Sequence, residues 1–173
     1  MRVRIVVSIL AASALLVGVG LALDVRVNWT ASMPRGLYQR IDPVLERDAW
    51  VAICLEGEAA HIAEARGYVI RGTCPSGLTP IFKRVAAVPG DRVALSPAGV
   101  RINGKPVAAS GLKQIDSRGR PLEHASEGEL VLADGRYFVL GMNAEQSWDS
   151  RYFGAVSAQQ IIAGAKPLWT LEE

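Results

Sequence analysis

The chain has 173 residues, a formal net charge of +2 and 50% hydrophobic residues. So small a positive charge, without a basic helix or a Lys/Arg block, argues against nucleic acid as a partner. Two histidines and two cysteines leave a metal site short of ligands, and His61-Ile-Ala-Glu64 lacks the HExxH spacing, so no metal or cofactor is expected.

In chain order, the first element is an apolar run, residues 5–23, with no charge in it. As a helix it would be about 28 Å long, close to the ~30 Å hydrocarbon core of a bilayer. Arg2 and Arg4 precede the run, which favours a cytoplasmic N-terminus and places everything after residue 24 outside. The run reads as an uncleaved transmembrane anchor. The competing reading is a cleavable signal peptide ending near Gly20-Leu-Ala22, for which the run is long.

Beyond it, Pro34, Gly36 and Pro43 exclude a helix. AWVAICL (49–55) is strand-like, and EGEAAHIAEARG (56–67) predicts a short helix ending at Gly67. A turn-rich passage follows, then IFKRVAAV (81–88), a β-rich run stopped by Pro89-Gly90. DRVALSPAGVRINGKPV (91–107) predicts a hairpin with a tight turn at Asn103-Gly104. Residues 108–129 are polar and read as a surface excursion. ELVLADGRYFVLGM (129–142) predicts another hairpin, turning at Asp134-Gly135. A helical turn near 157–162 and a last strand complete the chain. The class is mostly β. Cys54 and Cys74 have an exported location in which to pair, and a disulfide is favoured over two free thiols.

Two near-motifs fail on chemistry. GVRINGKP (99–106) ends in Pro106 where a phosphate loop needs a hydroxyl, and its context is a hairpin. SGLK (110–113) matches SxxK, but neither SDN nor KTG follows it. His61 and His124 fall in a surface helix and in the polar excursion, so neither is placed to serve a Ser-His-Asp triad. A serine nucleophile would then need another base. Lysine can serve when burial disfavours its charged form. In IFKRV, alternation puts Lys83 and Val85 on one face and Phe82 and Arg84 on the other. Whether the Lys83 face is buried is open at this stage.

NWTASMPRGLY (28–38), FKRVAAVPGDRV (82–93) and GMNAEQSWDSRYFG (141–154) occur in that order after the apolar run. Together they resemble the three sequence boxes of the type I signal peptidase superfamily, the serine-lysine membrane peptidases. SMPRGLY is similar to the conjugative-transfer branch, the TraF-like pilin-processing peptidases. The resemblance implies a β-rich catalytic core over residues 24–97 and 130–173, one N-terminal transmembrane helix and a small inserted subdomain at 98–129. It implies Ser32 as nucleophile and Lys83 as general base. The Ser32 N–H and the Thr30 hydroxyl would form the oxyanion hole. Ser147 would orient the lysine amine, and Asp149 and Arg151 would brace the site. Whether Asp149 also acts directly as a third catalytic member stays open. Pro34 and Gly36 would shape the turn that presents Ser32. The third box departs from the general peptidases, with Gly141-Met142-Asn143 in place of Gly-Asp-Asn. Asn28-Trp29-Thr30 also matches a glycosylation sequon, read as accidental because a glycan would crowd Ser32.

The implied activity is removal of leader or terminal peptides from an exported precursor, a conjugative pilin in this branch, by acyl transfer to water or to the pilin's own amino group. The implied setting is a bacterial inner membrane, with the catalytic domain in the periplasm and the precursor and lipid bilayer as partners. The chain from Leu23 to Ser32 spans at most about 32 Å, which keeps the serine near the membrane boundary. Trp29, Tyr38, Trp148 and Phe153 are candidates either for an interfacial surface or for core. Two other classes stand beside this reading: a catalytically inactive assembly subunit of a secretion channel, and a Ser-Lys self-cleaving regulator.

Overall fold

The computed structural model describes residues 23–29, 33–142 and 147–171, together with Gly18 and Gly20. The rest of the expected anchor, and Thr30, Ser32 and Asn143, lie outside the described residues. Among those described, no helix is long and apolar enough to cross a membrane.

Two antiparallel sheets make up the fold. The larger has seven strands in the order β1-β2-β11-β3-β4-β9-β10. These are β1 (Val25–Asn28), β2 (Gly36–Ile41), β3 (Trp50–Ile53), β4 (Ile81–Ala87), β9 (Arg136–Leu140), β10 (Val156–Ser157) and β11 (Ile161–Thr170). The smaller runs β7-β6-β5-β8, from β5 (Arg92–Ser96), β6 (Gly99–Ile102), β7 (Lys105–Pro106) and β8 (Gly128–Val131). The smaller sheet thus begins at Arg92, within the span expected to be catalytic core.

The strands follow side-chain alternation. In β4, Lys83, Val85 and Ala87 are buried while Phe82, Arg84 and Ala86 are only half-buried. One core lies on the large sheet and gathers Val51, Ile53, Val85, Tyr137, Val139, Val156 and Ile161. A second joins the sheets, packing Ala87, Phe138 and Leu140 of the larger against Val93, Leu95 and Val100 of the smaller. Val, Ile and Phe suit such half-buried pleated surfaces.

The expected helix is present as α1 (Gly57–Arg66), ended by Gly67 in the left-handed conformation. The hairpin expected at 129–142 is not. The Asp134-Gly135 turn forms, but β8 pairs with β5 while β9 pairs with β4 and β10. The cause is a crossing between the sheets. Leu132 N–H donates to the Asp91 carbonyl at 2.9 Å and Gly90 N–H to the Leu132 carbonyl at 2.8 Å, so the chain changes sheets beside the outgoing strand. Asp91 fixes this crossing. Its carboxylate accepts from Arg47, Asn103 and the Val88 N–H. Burial opposes its charge, but those donors outweigh burial and hold its pKa below the usual range.

Cys54 and Cys74 form the expected disulfide, with Cα atoms 5.5 Å apart. It closes a lobe containing α1, whose Ala60 and Ala63 pack with Leu55 and Leu78. The helical turn expected near 157–162 is a single 3-10 turn, Ala158–Gln160, capped by reciprocal bonds between Ser157 and Gln160.

Candidate active site

Lys83 sits in the middle of the large sheet. Its strand pairs with β3, where Val51 is its partner, and with β9, where Val85 faces Val139. Only 5% of Lys83 is exposed. Burial therefore pushes its amine down from 10.5 to about 8; Asp149 counters the shift and Arg151 adds to it. Nζ donates a hydrogen bond to Ser147 Oγ at 2.8 Å.

Ser147 opens a turn clamped onto the end of β9. Ser150 Oγ accepts from Val139 N–H at 2.9 Å, and Asp149 Oδ2 accepts from Gly141 N–H at 3.0 Å. Asp149 caps the one-turn helix α2 (Ser150–Phe153) by accepting from Arg151 N–H. Arg151 returns to it bidentately, Nε to Oδ1 at 2.8 Å and Nη2 to Oδ2 at 2.9 Å. It also reaches the Ser147 carbonyl at 3.1 Å and the Gly111 carbonyl at 2.9 Å. Both ions are wholly buried. These bonds of Asp149 go to Arg151 and to backbone, and its effect on the Lys83 amine is electrostatic.

The chain flanking Ser32 is pinned at both ends. Asn28 Nδ2 donates to the Met33 and Pro34 carbonyls at 3.1 and 3.2 Å, and Tyr38 OH donates to the Pro34 carbonyl at 2.6 Å. Met33, Tyr38 and Ala165 form a buried cluster against which Trp50 and Phe82 pack. The residue after Ser32 is therefore held in the cluster that includes the neighbour of Lys83. Gly36 opens β2 where a Cβ would meet the Trp169 carbonyl at 2.1 Å, so only glycine lets β11 approach.

Of the aromatic candidates, Trp29 is 75% exposed and Tyr38 is core. Trp148 and Phe153 are half-buried and meet edge to face at 5.1 Å. Val27, Leu37 and Trp169 align in one row across β1, β2 and β11, and all are exposed. The rejected SxxK serine, Ser110, is buried and donates to the Val107 carbonyl. His61 is exposed, and His124 is half-buried beside the Ala125 carbonyl.

Three residues of the motifs make contacts that the sequence does not announce. Asn28 heads the first motif and also matches a sequon, and neither marks its bonds to the Met33 and Pro34 carbonyls. Tyr38 carries no local sign of its bond to Pro34. Gly141 heads the third motif, which gives no sign that a Cβ there would lie 2.0 Å from Ser147 Oγ.

The arrangement can supply a buried, deprotonatable amine and a hydroxyl that orients it. Comparison with known proteins agrees in kind. The family model described as "Signal peptidase, peptidase S26" matches residues 3–169. The plasmid transfer protein TraF of Escherichia coli is 36% identical over 160 residues, covering 92% of this chain and 90% of that protein. The conjugal transfer protein TraF of Agrobacterium tumefaciens is 37% identical over 150 residues, covering 84% and 82%. Among solved structures, a signal peptidase I of Enterococcus faecalis covers 71% of this chain and 97% of its own, at 20% identity and a TM-score of 0.41.

Proposed function

This chain belongs to the peptidase S26 signal peptidase family, and from that premise we propose that it is a membrane-anchored serine endopeptidase with a Ser32/Lys83 dyad. One observation carries the reading: a lysine amine buried at the centre of a sheet, its pKa lowered to about 8, donating to a serine hydroxyl. An amine so placed is uncharged in about a tenth of the molecules at pH 7, far more than an ordinary lysine, and can act as a base.

Neutral Lys83 takes the proton from the Ser32 hydroxyl as its oxygen attacks the scissile carbonyl. The Ser32 N–H and Thr30 hydroxyl hold the oxyanion, each such donor stabilising it by about 3 kcal/mol. Lys83, now charged, protonates the departing amine. The acyl-enzyme then meets water, deprotonated by Lys83, or the amino group of the precursor itself, which closes a ring. Ser147 keeps the amine directed, while Asp149 and Arg151 hold Ser147. The buried cluster holds Met33, the residue after Ser32, against Phe82, the residue before Lys83.

Residues 5–23 serve as the anchor, and the exposed row Val27, Leu37 and Trp169 supports a catalytic domain lying against the bilayer. The relatives' printed role in plasmid and conjugal transfer supports a periplasmic site at a bacterial inner membrane and a pilin precursor as substrate.

The test is co-expression with candidate pilin precursors, followed by mass spectrometry. Processing is expected with the native chain and absent with Ser32→Ala and Lys83→Ala. A product lighter than the trimmed linear chain by one water marks ring closure. Normal processing by either variant defeats the dyad, and failure of a serine-directed acylating probe to label the protein at any pH would favour an inactive assembly subunit.

A further inference from the structure

The three motifs leave Tyr68 unused, yet it is held on several sides. It follows the cap of α1, its N–H donating to the Ala63 carbonyl at 2.9 Å. Its hydroxyl donates to Asp116 Oδ2 at 2.8 Å, across the gap between the disulfide-closed lobe and the polar excursion. Asp116 is itself saturated. It accepts from Arg120 Nε at 2.7 Å and from the N–H groups of Arg118 and Arg120 at 2.8 and 3.0 Å. Burial opposes the charge on that carboxylate, and these donors keep it ionised far below the usual range. The Arg120 guanidinium lies over the Tyr68 ring, 5.5 Å from its centroid. So many bonds fix the ring to one place.

What the ring meets there is Trp148, at 5.4 Å between centroids. Trp148 is gripped on another side by Phe153 at 5.1 Å. Both contacts fall in the range at which aromatic pairs attract beyond their buried area. Trp148 is the residue next to Ser147, and Ser147 accepts from the Lys83 amine. The backbone of Ser147 is held by Arg151, but the side chain that fastens its neighbour reaches into the lobe.

We infer that Tyr68 is a positioning residue for the Ser147–Lys83 pair, acting through Trp148. This rests on the proposed role of Lys83 as the base. The ring of Tyr68, rather than its hydroxyl, carries the effect, since it is the ring that touches Trp148. Without it, one face of Trp148 loses its partner, the turn at Ser147 loosens, and water gains access to the amine. Among the described residues, the ionised groups acting on that amine are Asp149 and Arg151, both in the same turn. Loosening the turn therefore alters every charge that the amine feels as well as its hydration.

The experiment uses the full chain in detergent micelles, with its lysines labelled for NMR. There are only four, at positions 83, 105, 113 and 166, so the Lys83 signal is assignable by Lys83→Arg. Two readouts are taken: the titration midpoint of Lys83, and the pH profile of kcat and KM on an internally quenched peptide with Ala-x-Ala before the cut. Tyr68→Leu should raise the Lys83 midpoint by about 0.5 unit or more, since rehydration restores the ordinary lysine value. It should lower kcat about 10-fold with KM little changed. Tyr68→Phe, which keeps the ring but loses its bond to Asp116, should shift the midpoint clearly less than Tyr68→Leu. Trp148→Leu should give the same shift as Tyr68→Leu, and the double variant no more than either, because the two act in series.

A Lys83 midpoint unmoved by Tyr68→Leu, with only thermal stability reduced, would overturn the inference. So would additive shifts in the double variant, or a Tyr68→Phe shift as large as that of Tyr68→Leu. If Tyr68→Leu fails to fold, Trp148→Leu and Tyr68→Phe decide by the same midpoints. Failure of the dyad reading is separate: it appears as an active Lys83→Ala variant, whereas the NMR midpoint is read without catalysis.

Discussion

Gly141 is the gap that lets Ser147 stand beside Lys83. A Cβ on residue 141 would fall 2.0 Å from Ser147 Oγ and 3.6 Å from Lys83 Nζ. The 2.8 Å bond between the amine and the hydroxyl exists because residue 141 has no side chain. The same glycine donates its N–H to Asp149, so its backbone cannot retreat without breaking the cap that shapes the turn.

Gly141→Ala should therefore displace Ser147 and misdirect the amine. A displacement near 1 Å at a reacting group costs on the order of 100-fold in rate. We expect kcat to fall by about that factor while far-ultraviolet circular dichroism stays native. Peptide cleavage by Gly141→Ala at the native rate would contradict the packing described.

The wholly buried pair of Asp149 and Arg151 makes a stability prediction. Asp149→Asn leaves a guanidinium in the interior without its counter-charge, which costs roughly 3–5 kcal/mol. Urea denaturation at pH 7 should show this loss. Asp149→Asn combined with Arg151→Met should recover part of it, since no lone ion is then buried.

Lys83 makes the stability depend on alkaline pH. The folded amine titrates at about 8 and the unfolded one at 10.5. Between these values the unfolded chain binds a proton that the folded chain has released, so stability rises with pH. Below the folded value both states are protonated and the penalty for burying the charge is at its full size, roughly 3 kcal/mol. Lys83→Met has no such group. Stability of the native chain relative to Lys83→Met should climb between pH 8 and 10.5 in urea titrations, and parallel curves would rule the buried amine out.

The disulfide closes a loop of 20 residues around α1. In the chain-entropy model such a link stabilises by about 3 kcal/mol. Cys54→Ser with Cys74→Ser, or reduction of the native chain, should lower the denaturation midpoint accordingly. Equal midpoints with and without reductant would show that the lobe holds without it.

The facing of Lys83 was legible because strand alternation is local. Its burial was not, since that depends on β3, β9 and the turn at Ser147, all distant in sequence. The helix at 57–66 could be read from its ending at Gly67. The 129–142 hairpin misled because Asp134-Gly135 reports only a turn, and the crossing at Leu132 depends on Asp91 in another segment. Cysteine pairing followed from compartment and count. Asn28 heads the first motif, and its match to a sequon is accidental; its partners, the Met33 and Pro34 carbonyls, have no signature in the sequence. Motifs pointed to Lys83 and Ser147, which the structure brings together at 2.8 Å; the contacts of Gly141 and Tyr38 nearby are recorded by no spacing.

β11 lies between β2 and β3, although it follows every other strand in the chain. Among the described strands, only β11 hydrogen-bonds the β1–β2 ribbon to the half-sheet that bears Lys83. The sheet that carries Lys83 is therefore completed only when the last of the described strands docks.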